Sequence, residues 1–201
     1  YKRQPQGGIV MDFFSGSGTT AHAVLESIVD NNLEYSYIMV QLPEDLDKAV
    51  NSAPNSSKKT LCSAIEMLDS LGKKHLLTEV AKERIKRAGC IVKNNNPGIN
   101  KTLDTGFRVL KLADSNMADV FYSPSEYSQN LLEQFESNIK SDRNDLDLLF
   151  GCLLDWGLPL SLPYKSVNID GYTIHNYNDG DLVACFDENI PDEVIKKIAK
   201  M

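Results

Sequence analysis

The stretch Asp12-Phe13-Phe14-Ser15-Gly16-Ser17-Gly18-Thr19-Thr20 has the residue types and spacing to do chemistry. Glycines at 16 and 18 let a backbone take positive φ and come close to a ligand. The two threonines after them open a helix, where hydroxyls cap and unpaired amides face an anionic group. On the N-terminal side, Gly8-Ile9-Val10-Met11 reads as a short buried parallel strand, apolar without alternation. On the C-terminal side, Ala21, Val24, Leu25 and Ile28 fall at i, i+3, i+4 and i+7, one face of a helix. Strand, glycine turn and helix together are the supports of a nucleotide-type cofactor loop.

Three ligand classes compete for such a loop, against the reading of a tight turn with no ligand. A phosphate-binding NTPase loop requires Lys directly before Ser/Thr, and none is present. The dinucleotide pattern G-x-G-x-x-A is met by Gly16 to Ala21, but it wants an acid at the end of the next strand to hold a ribose. That strand, Tyr37-Ile38-Met39-Val40-Gln41-Leu42, carries Gln41 there, with Glu44 just beyond. Either side chain can bond a hydroxyl, and a capping or solvated role for Glu44 is an equal alternative. The third class is S-adenosylmethionine. It rests on a family resemblance of this stretch, while the aspartate, the aromatic and the double threonine weigh against a bare turn.

The supporting chain has 201 residues, enough for one large or two small domains, with 42% apolar and 24% charged residues. No apolar run reaches the ~20 residues of a membrane span, and no signal peptide is visible, so a cytoplasmic protein is expected. The sequence opens on Tyr1 with the cofactor strand almost at once, as expected of a piece of something longer. Four widely spaced cysteines (62, 90, 152, 185) are expected to be buried free thiols. Three scattered histidines give no metal site. His22 reads as structural, His75 lies in a Lys-rich connection, and His175 is a strand residue with satisfied partners.

The formal charge of −7 is uneven: residues 1–103 hold 13 Lys/Arg and 11 Asp/Glu, and residues 104–201 hold 8 and 17. The acidic second half would repel a phosphate backbone, so this chain is not the main grip on a nucleic acid. Residues 43–59 read as a mobile polar connection. Leu61 to Leu71 form a helix stopped by Gly72, and a second helix runs from about Thr78 to Ala88, stopped by Gly89. Lys82, Arg84, Lys86 and Arg87 can touch phosphates, but a solvated helix face is favoured. Asn94-Asn95-Asn96-Pro97-Gly98 marks a boundary between a first domain, 1–98, and a second module, 104–201. In that module we expect a strand over Gly106 to Leu112 and a helix from the capping box Ser123-Pro124-Ser125-Glu126 to about Ile139. A helix around Leu146 to Leu153, a hairpin at Asp170-Gly171, a strand over 182–186 and a terminal helix after Pro191 complete it.

Asp12 to Thr20 closely resembles the cofactor motif of amino-methylating DNA methyltransferases, usually D-P-F-x-G-S-G-T-T. With Asp12 to Val24, Tyr37 to Glu44, Thr78 to Gly89, Gly106 to Met117 and Cys185 to Lys200, the chain resembles the C-terminal part of the modification subunit of type III restriction–modification systems. Phe13 in place of the commoner Pro, the Val40-Gln41-Leu42-Pro43-Glu44 strand end and the acidic second module carry that specificity. The resemblance implies a truncated Rossmann-like α/β half followed by a small α+β module. It also implies an S-adenosylmethionine-dependent enzyme acting on the adenine amine in DNA, a homodimer, and a restriction-subunit partner. Asp12, Phe14, Gly16, Ser17, Gly18, Thr19 and Thr20 would line the methionine end of the cofactor, and Gln41 and Leu42 would approach ribose and adenine. The family's D-P-P-Y-type catalytic motif is missing: no Pro-Pro pair occurs, and Leu162-Pro163-Tyr164 lacks the acid. No catalytic residue is therefore expected in this chain, and cofactor binding by it alone is expected to be weak. A role for residues 104–201 as an assembly platform and, more remotely, a dinucleotide-dependent oxidoreductase are the alternatives.

Overall fold

The computed structural model describes residues 8–31, 35–98, 103–118 and 138–200. The chain divides into two compact units, Tyr1–Phe107 and Arg108–Met201. In the first, β1 (Gly8–Asp12) leads through the glycine loop into α1 (Thr19–Asn31), and β2 (Tyr35–Met39) returns parallel to β1, Val10 opposite Tyr37 and Asp12 opposite Met39. Then come α2 (Leu46–Ser52), α3 (Asn55–Ser70) and α4 (Leu77–Asn95). Described elements are thus mixed helix and strand, compatible with an α/β fold.

The core of this unit lies between α1 and α4. Ala21, Leu25, Ile85, Ala88 and Val92 are buried together, with Val29, Tyr37, Met39 and Leu103 against them. The expected apolar stripes of both helices thus face each other, and β2 lays one face upon them. The other face of the strands is bare: Ile9 is 69% exposed, Met11 49% and Ile38 44%. The strand expected to be buried on both sides is covered on one side only, because the described helices of this unit pack on a single face.

Three expectations for this unit are corrected. Residues 43–59 are not a mobile connection: Asp45 caps α2 through the Lys48 N–H, and Pro54 precedes the first turn of α3. Gly89 does not stop its helix, which continues to Asn95. A Cβ at Gly89 would come within 2.9 Å of the Thr105 Cβ, so this glycine serves the close approach of a later segment. Cys62 and Cys90 are free but exposed, on the outer faces of α3 and α4.

The second unit holds α5 (Asp145–Asp155), the antiparallel meander β3 (Tyr164–Ile169), β4 (Tyr172–Tyr177) and β5 (Leu182–Cys185), and α6 (Asp192–Ile198). Asn144 and Asp147 form a capping box at the start of α5. Asp170 and Gly171 both take positive φ, 53° and 96°, as a two-residue hairpin turn demands. Leu149, Leu153, Tyr177 and Leu182 form the core. The Tyr177 hydroxyl accepts from the Leu162 N–H and donates to the Pro159 carbonyl, so its buried polar end is satisfied. The expected strand at Gly106–Leu112 does not form: no strand pairs with it among the described residues, and Val109, Leu110 and Leu112 stay exposed. Instead Arg108 anchors the segment, its guanidinium donating to the Leu160 and Leu162 carbonyls and lying near the Phe150 and Tyr164 rings. The helix expected from Ser123 lies outside the described residues until its end, where Ile139 bridges to Met117.

Candidate functional site

The loop between β1 and α1 is held from both ends by one carboxylate. Asp12 Oδ1 accepts from the Phe14 N–H at 3.1 Å, and Oδ2 accepts from the Thr20 hydroxyl at 2.5 Å. The last residue of the strand thereby ties the loop's entry to the first turn of the helix, by charge-assisted bonds. Gly16 (φ +53°) and Gly18 (φ +78°) turn the chain between these points. Their surroundings differ. A Cβ on Gly16 would meet only the Phe14 carbonyl at 3.9 Å, whereas one on Gly18 would lie 3.3 Å from the Ala81 carbonyl and 3.4 Å from Ile85 Cγ1. Gly16 is a turn residue; Gly18 is also the point where α1 meets α4.

The end of β2 and the residues just past it form the loop's other wall. The Ser15 N–H donates to the Val40 carbonyl at 3.1 Å, the Val40 N–H to the Asp12 carbonyl at 2.8 Å, and the Gly18 N–H to the Ser15 carbonyl at 2.8 Å. Ser15 is 7% exposed, and its hydroxyl also donates to the Val40 carbonyl at 3.3 Å. Sequence reasoning left Ser15 out of the site; a small polar residue before the first glycine was the signal. Gln41 Oε1 accepts from the Gly16 N–H at 2.8 Å, while its Nε2 donates to the Leu42 carbonyl at 3.2 Å and to Glu44 Oε1 at 3.3 Å.

With those bonds made, the N–H groups of Ser17, Thr19 and Thr20 have no acceptor among the described residues. They lie at the start of α1, where a helix concentrates positive potential. Around them stand exposed apolar side chains: Phe13 is 63% exposed, Phe14 87% and Leu42 71%. Unpaired donors beside apolar faces suit an amphiphilic ligand with an anionic end and flat or apolar parts. An adenosyl amino acid has both, so the residues present fit that cofactor. The structure brings Asp12, Phe14, Gly16, Ser17, Gly18, Thr19, Thr20, Gln41 and Leu42 to one end of the β1–β2 pair. It aims the side chains of Asp12 and Gln41 into the loop itself.

Away from the loop, a groove of about 230 Å³ is lined by His22, Met67, Val80, Glu83, Arg84 and Arg87, with Ala88 and Ile91. None of the expected site residues lines it. Of the basic residues expected on a solvated α4 face, Lys82 pairs with Glu79, and Arg87 with Glu83 at 2.7 Å. Glu83 is buried, takes Lys73 at 3.2 Å as well, and its carboxyl is held below the ordinary value by the Arg87 hydrogen bond first and Lys73 after. His75 sits between Asp69 (2.8 Å from Nε2) and Asp47 (3.0 Å from Nδ1), which raise its pKa. His22 bonds Glu26 at 3.3 Å. In the second unit, buried His175 meets the Ser166 hydroxyl at 2.8 Å and Asp145 at 3.2 Å. No group of three potential metal ligands occurs among the described residues. Nor is any described helix long and apolar enough to cross a membrane.

Fold and loop define a class: a βαβ unit whose first turn carries left-handed glycines and open helix-start amides. No family model matches the chain. Relatives supply the particular. Over 172 residues, 84% of this chain, it is 31% identical to the Mod subunit of the type III restriction–modification enzyme EcoP15I of Escherichia coli, of which it covers 21%. It is 28% identical over 171 residues to the EcoPI Mod subunit of Escherichia phage P1 (85% of this chain, 23% of the relative). Over 106 residues it is 31% identical to the StyLTI Mod subunit of Salmonella typhimurium (53% and 13%). The chain is thus similar to the Mod subunits of three type III restriction–modification enzymes, and it spans about a fifth of the length of the EcoP15I and EcoPI subunits.

Proposed function

We propose that the protein to which this chain belongs is a site-specific DNA methyltransferase that transfers the methyl group of S-adenosylmethionine to the amino group of adenine. In this reading residues 1–98 are the cofactor-binding half of a Rossmann-like domain, and 104–201 an assembly module. The observation that carries it is the loop: unpaired Ser17, Thr19 and Thr20 amides beside Phe14 and Leu42, on a chain similar to Mod subunits. Bound there, S-adenosylmethionine supplies an electrophilic methyl group. This chain's part is to hold and orient the cofactor: the amides of Ser17, Thr19 and Thr20 take its carboxylate end, and Phe14 and Leu42 flank its apolar parts. Asp12, Gly16 and Gly18 keep the loop in shape. The groups that face the adenine, the catalytic motif and the grip on DNA come from other parts of the protein, in keeping with the acidic charge of 104–201. The intact protein works in the cytoplasm as a homodimer with a restriction subunit.

The bare sheet face of Ile9, Met11 and Ile38 supports the corollary that this chain alone binds cofactor weakly, since half of a two-sided domain leaves its pocket unfinished. The test is methyl transfer by the intact protein from tritiated S-adenosylmethionine to mixed-sequence DNA, wild type against Gly16→Asp. Label on adenine that disappears in the variant is the expected result. No label from folded wild-type protein refutes the proposal and shifts weight to an assembly role.

A further inference from the structure

We propose that Gln41 is a positioning residue: its side-chain amide, oriented by Glu44, clamps the Gly16 turn and makes no bond to the cofactor. The clamp itself is independent of the cofactor reading; its effect on affinity rests on that reading. Donors and acceptors decide the orientation. The Gly16 N–H can only donate, so the Gln41 atom 2.8 Å from it is the amide oxygen. That fixes Nε2 on the other side, where its two hydrogens meet the Leu42 carbonyl at 3.2 Å and the Glu44 carboxylate at 3.3 Å. Both hydrogens of the amide are committed, and the oxygen faces the loop. No donor remains for a ribose oxygen, and the oxygen that would accept from a ribose hydroxyl is turned to the Gly16 N–H.

The same donors and acceptors explain why the residue is Gln rather than an acid. A carboxylate at 41 would accept the Gly16 N–H equally well, but it has no hydrogen for the Leu42 carbonyl. It would also stand against Glu44, where like charges repel. An amide is the one group of this size that accepts on one side and donates on the other. Gly16 lies at φ +53°, and a Cβ there would meet only the Phe14 carbonyl at 3.9 Å, so hydrogen bonds rather than packing hold this turn, with Asp12 bonded to Phe14 and Thr20 on either side of it. Outside it, Ser15 is stitched to Val40 by backbone and hydroxyl bonds. Gln41 adds the next stitch, one residue further along both segments. With Gly16 held, the neighbouring Ser17 amide keeps a fixed direction.

The test uses the intact protein without cofactor, by hydrogen exchange on peptides spanning Phe13–Gly18. Gln41→Leu removes the acceptor, and one further amide of the peptide should exchange about tenfold faster, the loss of one hydrogen bond. Gln41→Glu should loosen the turn as well. The exchanged pair Gln41→Glu with Glu44→Gln should recover part of the lost protection, because the bond between 41 and 44 re-forms with donor and acceptor exchanged and the like charges are gone, while the bond to the Leu42 carbonyl stays lost. Unchanged exchange in Gln41→Leu, or a double variant as loose as Gln41→Glu, overturns the proposal. A second readout concerns ligands. Affinity for S-adenosylmethionine and for an analogue lacking the ribose hydroxyls should fall by the same factor in Gln41→Leu, about three- to tenfold. A loss confined to the hydroxylated ligand identifies Gln41 as a ribose ligand and overturns the proposal. Failure of wild-type protein to bind either ligand contradicts the cofactor reading instead, and leaves the exchange result to decide the clamp.

Discussion

Gly16 and Gly18 look alike in sequence, and the structure separates their costs. Alanine at either position must adopt a left-handed backbone, at about 1–2 kcal/mol. At Gly16 that is nearly all, since the nearest atom to a new Cβ is the Phe14 carbonyl at 3.9 Å. At Gly18 the Cβ would press on the Ala81 carbonyl at 3.3 Å, Ile85 Cγ1 at 3.4 Å and Ala81 Cα at 3.5 Å. Two of these three atoms are helix backbone, so relief requires α4 to move by a few tenths of an ångström against α1. Overpacking of that kind costs about 1–3 kcal/mol. Gly18→Ala should therefore destabilise the first unit by about 2–5 kcal/mol and Gly16→Ala by about 1–2 kcal/mol. Against the ~5–15 kcal/mol of an ordinary domain, the difference is measurable. The assay is urea unfolding followed by NMR at core amides of Leu25 and Ala88, which report the α1–α4 contact directly. If Gly16→Ala costs as much as Gly18→Ala, the α1–α4 contact at residue 18 is not what constrains this loop.

Two further predictions concern the helices behind the loop. Glu83, with its pKa lowered chiefly by Arg87, contributes stability that is full above the ordinary carboxylate range and lost as pH falls through its folded-state pKa. Glu83→Gln should cost about 1–3 kcal/mol at neutral pH in the same urea experiment and abolish that acid sensitivity. A wild-type-like acid response in the variant would assign the effect elsewhere. His75 has the opposite sign. Both ring nitrogens face carboxylates, Asp69 and Asp47, an arrangement that needs a proton on each. Its contribution is full below about pH 6.5 and is lost as pH rises through the raised folded-state value. NMR titration should place the His75 midpoint above about 6.5, returning toward it in Asp69→Asn. A midpoint unmoved by that substitution would remove the ion pair as the cause.

Local signals in the sequence carried much of the fold. The apolar spacing of α1 and α4 predicted their buried faces, since Ala21, Leu25, Ile85 and Ala88 meet as the helical period requires. Asp170-Gly171 predicted the hairpin, because few residue pairs tolerate positive φ twice in succession. What misled were residues whose meaning depends on distant neighbours. Gly89 has the look of a stop and is a contact surface for Thr105. Gly106–Leu112 has the composition of a strand, but a strand needs a partner's hydrogen bonds, and among the described residues none supplies them. The polar run before α3 folded into helix because Asp45 and Pro54 provide starts that composition averaged away.

For the site, the sequence by itself determined the loop: two glycines between a strand and a helix, a carboxylate before them and hydroxyls after. Those are requirements of backbone conformation and local hydrogen bonding, and they are met within nine residues. The roles of side chains from the next strand were decided by tertiary structure alone. Parallel pairing of β1 and β2 sets Met39 beside Asp12, and the chain just beyond brings Gln41 to Gly16, 25 positions apart in sequence. Which of an amide's two ends faces a loop is settled by the donors and acceptors around it, and those neighbours exist only once the strands have paired.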